Sequence, residues 1–376
     1  MTEYRIARPE DREAYIELAN YVFSHAYNPH DFEAIVPKVY GEGIASSSMQ
    51  RIAIDERGSV RALIACMPNT AHVAGYALRM GFIGTVSVHP KARGEGHMKR
   101  LMNDWMAEMR ETCDFAMLGG QRQRYEYFGF TRGGTIMNYT VAPVNLRHAL
   151  AEVDASGISF RPLFDTEGAE AYAAALNAAR PAYMARDMCS QAEILITFRQ
   201  KPLAIMDGEK RIGYLVTNKE GNSVSEIALE NAGDIARTAK AYVLRTGGRV
   251  TFTAPECDAP LNACLCGFAE EHITEPSAMY NIYDFANVLQ AYLTLKQRTV
   301  GLSSGVFSAV LDGQPITARV DDNGVTVERV AQPGAPSLNK MQAQTLLLTP
   351  YGRYLGMAAP ADWFPLPMHS YTADDF

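Results

Sequence analysis

The sequence predicts a mixed α/β (α+β) protein that contains two tandem copies of one unit and a smaller third domain. Three observations lead to this prediction. A strand, a glycine-rich basic loop and an amphipathic helix follow one another over residues 82–109. The pattern at the start of the chain recurs from residue 158, which indicates an internal repeat. The pattern changes again from residue 281, so we expect domains at 1–145, 146–280 and 281–376.

The composition is that of a folded protein. Of 376 residues, 47% are hydrophobic and 20% are charged, which is enough apolar material for two or three domain cores. The formal net charge of −7 argues against general nucleic-acid binding, because phosphate contacts need a basic face. The charged first residues do not resemble a signal peptide, and no apolar run reaches the length of about 18 residues that a membrane span needs. We therefore expect a cytoplasmic protein.

The first unit begins with a predicted strand at 4–7 and a helix whose first turn contains Pro9. A hairpin is predicted over 51–66, and a further strand is predicted around 72–78. The intervening segment 24–50 is mixed, and its aromatic residues and histidines are His25, Tyr27, His30, Phe32 and Tyr40. Each of these could be an ordinary packing residue or could line a substrate pocket.

The stretch 82–109 combines two periodicities. Alternation predicts a strand over 82–88 with Phe82, Gly84, Val86 and Val88 on one face and Ile83, Thr85 and Ser87 on the other. Pro90 ends this strand. A helix begins near Met98, and its apolar stripe contains Met98, Leu101, Met102, Trp105, Met106 and Met109.

The loop between this strand and this helix has the composition of a phosphate site. Glycines allow a ligand to approach the backbone, and the first amides of a helix have no partner within the helix. Such a helix start binds phosphate, and Lys91, Arg93 and Lys99 add positive charge. The alternative is a tight turn with solvated basic residues.

The whole pattern, V-x-V-x-P-x-x-R-G-x-G followed by an amphipathic helix, resembles the acetyl-CoA motif of the GNAT acetyltransferases. Lys91 stands where that family usually has Arg or Gln. The resemblance implies that the loop amides hold the pyrophosphate of acetyl-CoA and that the strand edge pairs with its pantetheine arm. The cofactor-binding positions it implies are Val86, Ser87, Val88, Arg93, Gly94, Glu95, Gly96, His97, Met98, Lys99, Gly120 and Gln121.

A tyrosine-containing segment follows a short apolar run at 115–118. In the GNAT family, the tyrosine five residues before the final aromatic residue of this segment is the usual general acid. That position is Tyr125 here, since the segment ends on Phe130, and Tyr127 is a neighbouring alternative. Both tyrosines could instead be packing residues.

The second unit looks like a degenerate copy of the first. Residues 158–162 resemble 5–9, and Ala263–Phe268 stand where the first copy has Tyr125–Phe130. An acidic segment at 230–234 replaces the glycine-rich basic loop, and Ala263 replaces the tyrosine. We therefore expect that the second copy neither binds acetyl-CoA nor supplies a general acid.

The last hundred residues differ from both copies. A helix is predicted from the stripe Phe285, Val288, Leu289, Tyr292 and Leu295, strands at 305–311, 316–320 and 325–330, and a second helix around 339–347. The tail 363–376 is apolar and contains two prolines, which lower the entropy cost of ordering it. Asp374 and Asp375 precede the terminal Phe376, and we expect their charge to lie near the substrate.

Two GNAT-like copies, a third domain similar to sterol carrier proteins and a terminal phenylalanine together resemble the Eis (enhanced intracellular survival) acetyltransferase family. The resemblance implies direct acetyl transfer from acetyl-CoA to a primary amine, either of a small cation such as an aminoglycoside or of a lysine. It further implies a homo-oligomer, typically a hexamer, and the Phe376 carboxylate as general base beside the acid Tyr125. Backbone amides near Val86–Val88 would then stabilise the oxyanion.

Two alternatives remain open at this point. The base could be a carboxylate or histidine of segment 24–50. The protein could be a non-catalytic sensor that binds acetyl-CoA or an apolar ligand, although a sensor has no need of Tyr125. A metal site is not expected, because Cys264 and Cys266 lack the C-x-x-C spacing and no second pair lies nearby.

Overall fold

Three β-sheets and the helices packed on them form the structure, a computed structural model that describes residues 2–26, 29–356 and 359–376. The first part of the chain contains β1 (Glu3–Ile6), α1 (Arg12–Ala26), α2 (Phe32–Ile35), α3 (Pro37–Tyr40), β2 (Gln50–Ile54), β3 (Val60–Val73), β4 (Tyr76–Val88), α4 (His97–Thr112), β5 (Phe115–Leu118), α5 (Arg122–Tyr125), β6 (Thr131–Gly133) and β7 (Ile136–Val141). The predicted strand, loop and helix at 82–109 are therefore confirmed as the end of β4, a loop and α4.

The second part repeats this succession with different lengths. It contains β8 (Ile158–Pro162), α6 (Ala169–Ala178), β9 (Ala182–Met184), α7 (Gln191–Leu195), β10 (Lys201–Asp207), β11 (Lys210–Thr217), β12 (Ser223–Leu229), α8 (Ile235–Thr246), β13 (Val250–Pro255), α9 (Ala259–Cys266), β14 (Glu271–Glu275) and β15 (Ala278–Ile282). The third part contains α10 (Phe285–Thr299), β16 (Gly305–Leu311), β17 (Gln314–Asp321), β18 (Gly324–Glu328), β19 (Ser337–Leu338) and α11 (Lys340–Leu348).

The first two sheets have the same strand order. The first runs β1-β2-β3-β4-β5-β15-β6, with β9 added beside β3, and the second runs β8-β10-β11-β12-β13-β7-β14. In each, the fourth and fifth strands are parallel, namely β4 with β5 and β12 with β13. This equivalence supports the internal repeat that the sequence predicts.

The two sheets exchange their sixth strand. The sixth position of the first sheet holds β15, from the end of the second part, and that of the second sheet holds β7, from the end of the first part. The limits at residues 145 and 280 remain predictions, but the hydrogen-bonded sheets do not follow them. Each sheet is complete only when both parts of the chain are folded.

The predicted separate strand at 72–78 is wrong. Residues of β3 and β4 form one long hairpin, in which Val73 pairs with Tyr76. Ala74 (φ 50°) and Gly75 (φ 89°) form its two-residue turn, since both adopt the left-handed conformation that such turns require.

A β-bulge interrupts β4 and changes which face its side chains occupy. Ala65 of β3 pairs with Gly84 of β4, but Leu63 pairs with Ser87, so β4 contains one extra residue, and Thr85 has a φ of 48°. The Ile64 carbonyl, opposite the bulge, accepts a hydrogen bond from the Trp105 indole instead.

The predicted single face of Phe82, Gly84, Val86 and Val88 is consequently wrong beyond Gly84. Phe82 packs in the core that includes α10, whereas Val86 and Val88 pack with Ile83 in the core on the α4 side. A regular alternation in the sequence cannot reveal such a bulge, because the extra residue shifts the phase without changing the residue types.

The third sheet, ordered β18-β17-β16-β19, packs with α10 and α11 in the same continuous core as the first sheet. The predicted helical stripe of α10 is confirmed, since its five residues are all buried. The tail that follows is ordered over 359–376, and Trp363, Leu366 and Met368 are fully buried.

Candidate functional site

An open groove lies at the point where β4 and β5 separate. Their parallel ladder joins Met80–Ile83 to Phe115–Leu118, and β5 ends there while β4 continues to Val88. The groove is lined by Val22, Val86, Val88, Ala92, Arg93, Gly94, Gly96, His97, Met98, Lys99, Arg124, Tyr127 and Phe128. It therefore joins the free end of a strand to the N-terminus of a 16-residue helix, as a phosphate-bearing ligand with a long arm requires.

The loop before α4 is shaped by two glycines. Gly94 (φ 90°) and Gly96 (φ 83°) adopt left-handed conformations, and a Cβ added to either would meet no atom within 4 Å. The loop is tied down by His97, whose Nδ1 lies 2.8 Å from the Tyr4 hydroxyl and whose Nε2 lies 3.0 Å from a Glu95 carboxylate oxygen. The backbone at the helix start is thus held open toward the groove.

Eight of the twelve predicted cofactor-binding residues line the groove, and four do not appear in its lining. Ser87 is fully buried, and within the described residues its hydroxyl makes no hydrogen bond. Glu95 is exposed, and its carboxylate holds His97. Gly120 and Gln121 are exposed and lie just before α5.

The two candidate tyrosines have different surroundings. Tyr125, the last residue of α5, is 6% exposed and lies against Gly120, where an added Cβ would be 2.5 Å from its ring. Tyr127 is 66% exposed, and its ring lies 5.2 Å from the Lys99 ammonium at the groove. Tyr127 therefore lines the groove, whereas Tyr125 packs in the core on the α4 side and is not part of the groove lining.

The chain ends beside the bulge of β4. A Cβ added to Gly84 would lie 2.8 Å from a Phe376 main-chain oxygen, so only glycine admits the terminal group here. The half-buried Phe376 ring lies 6.0 Å from that of Tyr40 and 6.3 Å from that of Phe82. A main-chain oxygen of Phe376 therefore lies next to β4 at Gly84, two residues before Val86 enters the groove lining.

Segment 24–50 surrounds this terminus in part. Tyr40 donates a hydrogen bond of 2.8 Å to Thr85, and burial raises its pKa well above the ordinary value, so it stays protonated. The Phe32 ring packs on Tyr40, and the His25 ring contacts Tyr21. His30 packs near Phe32, and Tyr27 lies outside the described residues.

A buried ionic cluster holds the tail, which the sequence did not predict. Asp374 accepts two hydrogen bonds from Arg186, at 2.7 and 3.1 Å, and Arg186 also donates to Glu226 of β12. Glu226 further accepts from Arg180 and from the Tyr214 hydroxyl. Burial opposes ionisation of Glu226, but the two guanidinium groups outweigh it and lower its pKa to about 2.

The expectation that Asp374 and Asp375 supply free negative charge near the substrate is wrong. The charge of Asp374 is balanced by Arg186. Asp375 accepts from Ser370 at 2.5 Å, and burial raises its pKa to about 6. Lys38 donates to the Ala373 carbonyl at 2.6 Å, and burial lowers its pKa to about 8. The sequence gave no signal for Arg186 and Lys38 as partners of the tail, because they lie 188 and 335 positions away along the chain.

His369 makes the fold sensitive to acid. The residue is half-buried, both ring nitrogens are shielded from solvent and make no hydrogen bond within the described chain, and desolvation lowers its pKa to about 3. Between pH 6.5 and 3 the unfolded chain therefore binds a proton that the folded chain does not, so stability falls as pH falls, by up to about 1.4 kcal/mol per pH unit.

We expect His369→Leu to reduce the loss of unfolding free energy between pH 6.5 and 4, measured by urea denaturation. The matched control is His148→Leu, because His148 is exposed. If the two variants lose stability with pH equally, His369 is not the group responsible.

Comparison with known proteins gives the class of this enzyme. Residues 3–133 match the family described as an acetyltransferase (GNAT) domain. The first part of the chain is thus a GNAT acetyltransferase domain, and the protein is an enzyme of the GNAT acetyltransferase type. The alternative of a purely non-catalytic sensor is accordingly disfavoured. A comparison with curated proteins gave no match.

Several solved structures share the fold over the whole chain. A probable N-acyltransferase from Enterococcus faecalis V583 has 15% identity and a TM-score of 0.68, with 96% of this chain and 95% of that chain covered. A GCN5-related N-acetyltransferase from Kribbella flavida has 15% identity and a TM-score of 0.67, with both chains fully covered. Eis1 from Mycobacterium abscessus has 13% identity and a TM-score of 0.65, also with both chains fully covered. At these identities the likeness establishes the fold.

No group of three or more His, Cys, Asp or Glu side chains in ranges 2–26, 29–356 and 359–376 is placed to hold a metal ion. Over those same ranges, no helix is long and apolar enough to span a membrane.

Proposed function

We propose that the protein transfers the acetyl group of acetyl-CoA directly to a primary amine, at the groove of the first domain. The observation that carries the proposal is the meeting of three features on one strand. The terminal carboxylate of Phe376 contacts β4 at Gly84, Val86 and Val88 line the groove, and α4 begins at its far end. A base, a strand edge for the pantetheine arm and a phosphate site would thereby follow one another along this strand.

Acetyl-CoA is the cosubstrate that this arrangement fits. The amides of residues 93–98 would bind its pyrophosphate, with Arg93 and Lys99 adding positive charge at the groove. The backbone of Val86–Val88 would hold the pantetheine arm and donate to the thioester carbonyl oxygen. The acidic segment at 230–234 offers no comparable site in the second copy, which we propose does not bind the cosubstrate.

The transfer requires two proton movements. As the amine nitrogen attacks the thioester carbon, its proton passes to the Phe376 carboxylate, and backbone amides stabilise the oxyanion. The intermediate then collapses, the C–S bond breaks, and Tyr125 protonates the departing thiolate. A carboxylate of pKa near 3.5 is a weak base for an ammonium, so it would accept the proton as the C–N bond forms. A carboxylate or histidine of segment 24–50 is the alternative base.

The acceptor amine, the type of the third domain and the oligomeric state are proposed as follows. Coverage of the whole chain by the Eis1 fold supports an Eis-like enzyme, whose acceptor would be a small cationic amine such as an aminoglycoside, or a lysine. We further propose that the third domain is of the sterol-carrier type and that the protein is a hexamer. A screen of amines with acetyl-CoA that follows free thiol, together with sedimentation analysis, tests these assignments.

Gly94→Glu should weaken acetyl-CoA binding at least about tenfold, because a side chain and a negative charge would enter the open space where the pyrophosphate is expected. Isothermal titration calorimetry measures the change in Kd. The matched control is Gly58→Glu, since Gly58 also has a positive φ and open space around its Cβ but lies in the β2–β3 turn. An unchanged Kd in the Gly94 variant would remove the cosubstrate from this groove.

A further inference from the structure

We infer that the second domain positions the general base of the first domain: the Arg186–Glu226 pair holds Asp374 and thereby sets the place of the Phe376 carboxylate. The inference rests on the proposed function of that carboxylate. It gives a role to a domain that lacks the glycine-rich loop and the tyrosine of the first copy. Arg186 is here a positioning residue, because it acts through the tail.

Both copies have the same bulge in the fourth strand of their sheet. In the first sheet the ladder shifts by one residue after the pair Ala65–Gly84. In the second sheet the ladder between β11 and β12 shifts by one residue after the pair Thr217–Val224. In both sheets the parallel ladder to the fifth strand also stops at this level, at Ile83 and at Val224. The second copy therefore retains the strand separation that forms the groove in the first.

The residues that follow each bulge differ between the two copies. Val86 lies two residues beyond Gly84 and lines the groove. Glu226 lies two residues beyond Val224 and has no exposed surface. The position at which the first copy would hold its pantetheine arm thus carries, in the second copy, a buried carboxylate that has protein partners.

The buried Glu226 carboxylate requires charged partners. A fully buried charge is costly unless it is paired and hydrogen-bonded. Glu226 recruits Arg186, which is 2% exposed at its side chain, and Arg186 in turn has a second carboxylate partner in Asp374. The two-pronged contact between guanidinium and carboxylate is directional, so it selects one position for Asp374 rather than merely attracting it.

The distance along the chain from this ion pair to the proposed reactive group is short. Asp374 lies two residues before Phe376, and two extended residues span at most about 7 Å. Lys38 of α3 holds Ala373 from the first-domain side, and Tyr40 of the same helix contacts the Phe376 ring. The last residues are therefore held from both domains. A displacement of about 1 Å at a reacting group can lower a rate about 100-fold, so this restraint bears directly on catalysis.

The test measures the position of the tail independently of activity. Carboxypeptidase A removes a C-terminal phenylalanine only when the tail leaves its site. In Asp374→Asn we expect Phe376 to be released at least about tenfold faster than in the wild-type protein, because a charge-assisted contact is lost. We also expect kcat to fall about 10- to 100-fold, with the calorimetric Kd for acetyl-CoA within about twofold of the wild-type value.

The matched control is Asp362→Asn, the same substitution twelve residues earlier in the tail. Asp362 accepts hydrogen bonds from Ser303 and does not touch the cluster. This variant should release Phe376 and turn over substrate as the wild-type protein does. Glu226→Gln is the second test variant, since it perturbs Arg186 from the β12 side and leaves the tail sequence intact; it should behave like Asp374→Asn.

The outcomes separate the inference from the proposed function. Wild-type rates of Phe376 release in both cluster variants, when these are folded by circular dichroism, would overturn the inference. Faster release with unchanged kcat would uphold the restraint of the tail and overturn the Phe376 carboxylate as base. Faster release with a lower kcat that added acetate partly restores, compared with chloride at equal ionic strength, would support both.

Discussion

Adding a single glycine after Phe376 should lower kcat by about 10²- to 10⁴-fold, the usual contribution of general base catalysis. The extension moves the carboxylate away from β4 but leaves each native side chain in place. Gly84 leaves little room there, since an added Cβ would lie 2.8 Å from the present terminal oxygen. The measurement is steady-state kinetics with a fixed amine acceptor. The melting temperature and the Kd for acetyl-CoA should stay close to their wild-type values, because the groove is lined by other residues.

The matched control is Phe376→Leu, which keeps the terminal carboxylate at its position and retains an apolar side chain between Tyr40 and Phe82. It should keep most of the activity. Full activity of the glycine-extended protein would rule out the carboxylate as base and direct the search to the histidines and carboxylates of segment 24–50. A C-terminal affinity tag on the protein should act as the glycine does, so activity assays require an N-terminal tag.

Tyr125→Phe should lower kcat about 10²- to 10⁴-fold, because the thiolate would then leave without its proton donor. The ring packs against Gly120, and phenylalanine preserves that contact, so the fold and the Kd for acetyl-CoA should be kept. Rapid-mixing kinetics that follow free thiol separate the loss in the chemical step from any change in binding.

Tyr127→Phe provides the comparison, since it removes the same atom from an exposed ring two residues away. It should change kcat less than about threefold. If the Tyr127 variant shows the larger loss, the acid is the tyrosine at the groove rim and not the buried one. If neither variant is impaired, water or another group protonates the thiolate.

The features that could be predicted from the sequence are those that short stretches encode. The strand, loop and helix at 82–109 depend on periodicity, one proline and two glycines, and each appears in the structure near its predicted place. The helical stripe of α10 and the strands at 316–320 and 325–330, which correspond to β17 and β18, were predicted for the same reason. Eight of twelve cofactor positions line the groove because a local motif largely determines its own backbone shape.

Other features could not be predicted because residues far apart in the chain create them. The bulge at Thr85 depends on how β4 pairs with β3, and it reverses the faces of Val86 and Val88. The exchange of β7 and β15 places each strand in the sheet formed mainly by the other part of the chain, and such long-range pairing leaves no local pattern in the sequence.

By itself the sequence determined the class of this protein: a GNAT acetyltransferase motif with its candidate tyrosine, a second copy without them, and a tail capable of order. Only the tertiary structure decided what the second copy and the tail do together. Nothing in the sequence connects the charged residues Asp374, Arg186 and Glu226. Arg186 lies 188 positions from Asp374 and 40 positions from Glu226. Together they determine the position of the tail, because burial removes water from their charges and a buried charge then requires its partner at one defined place.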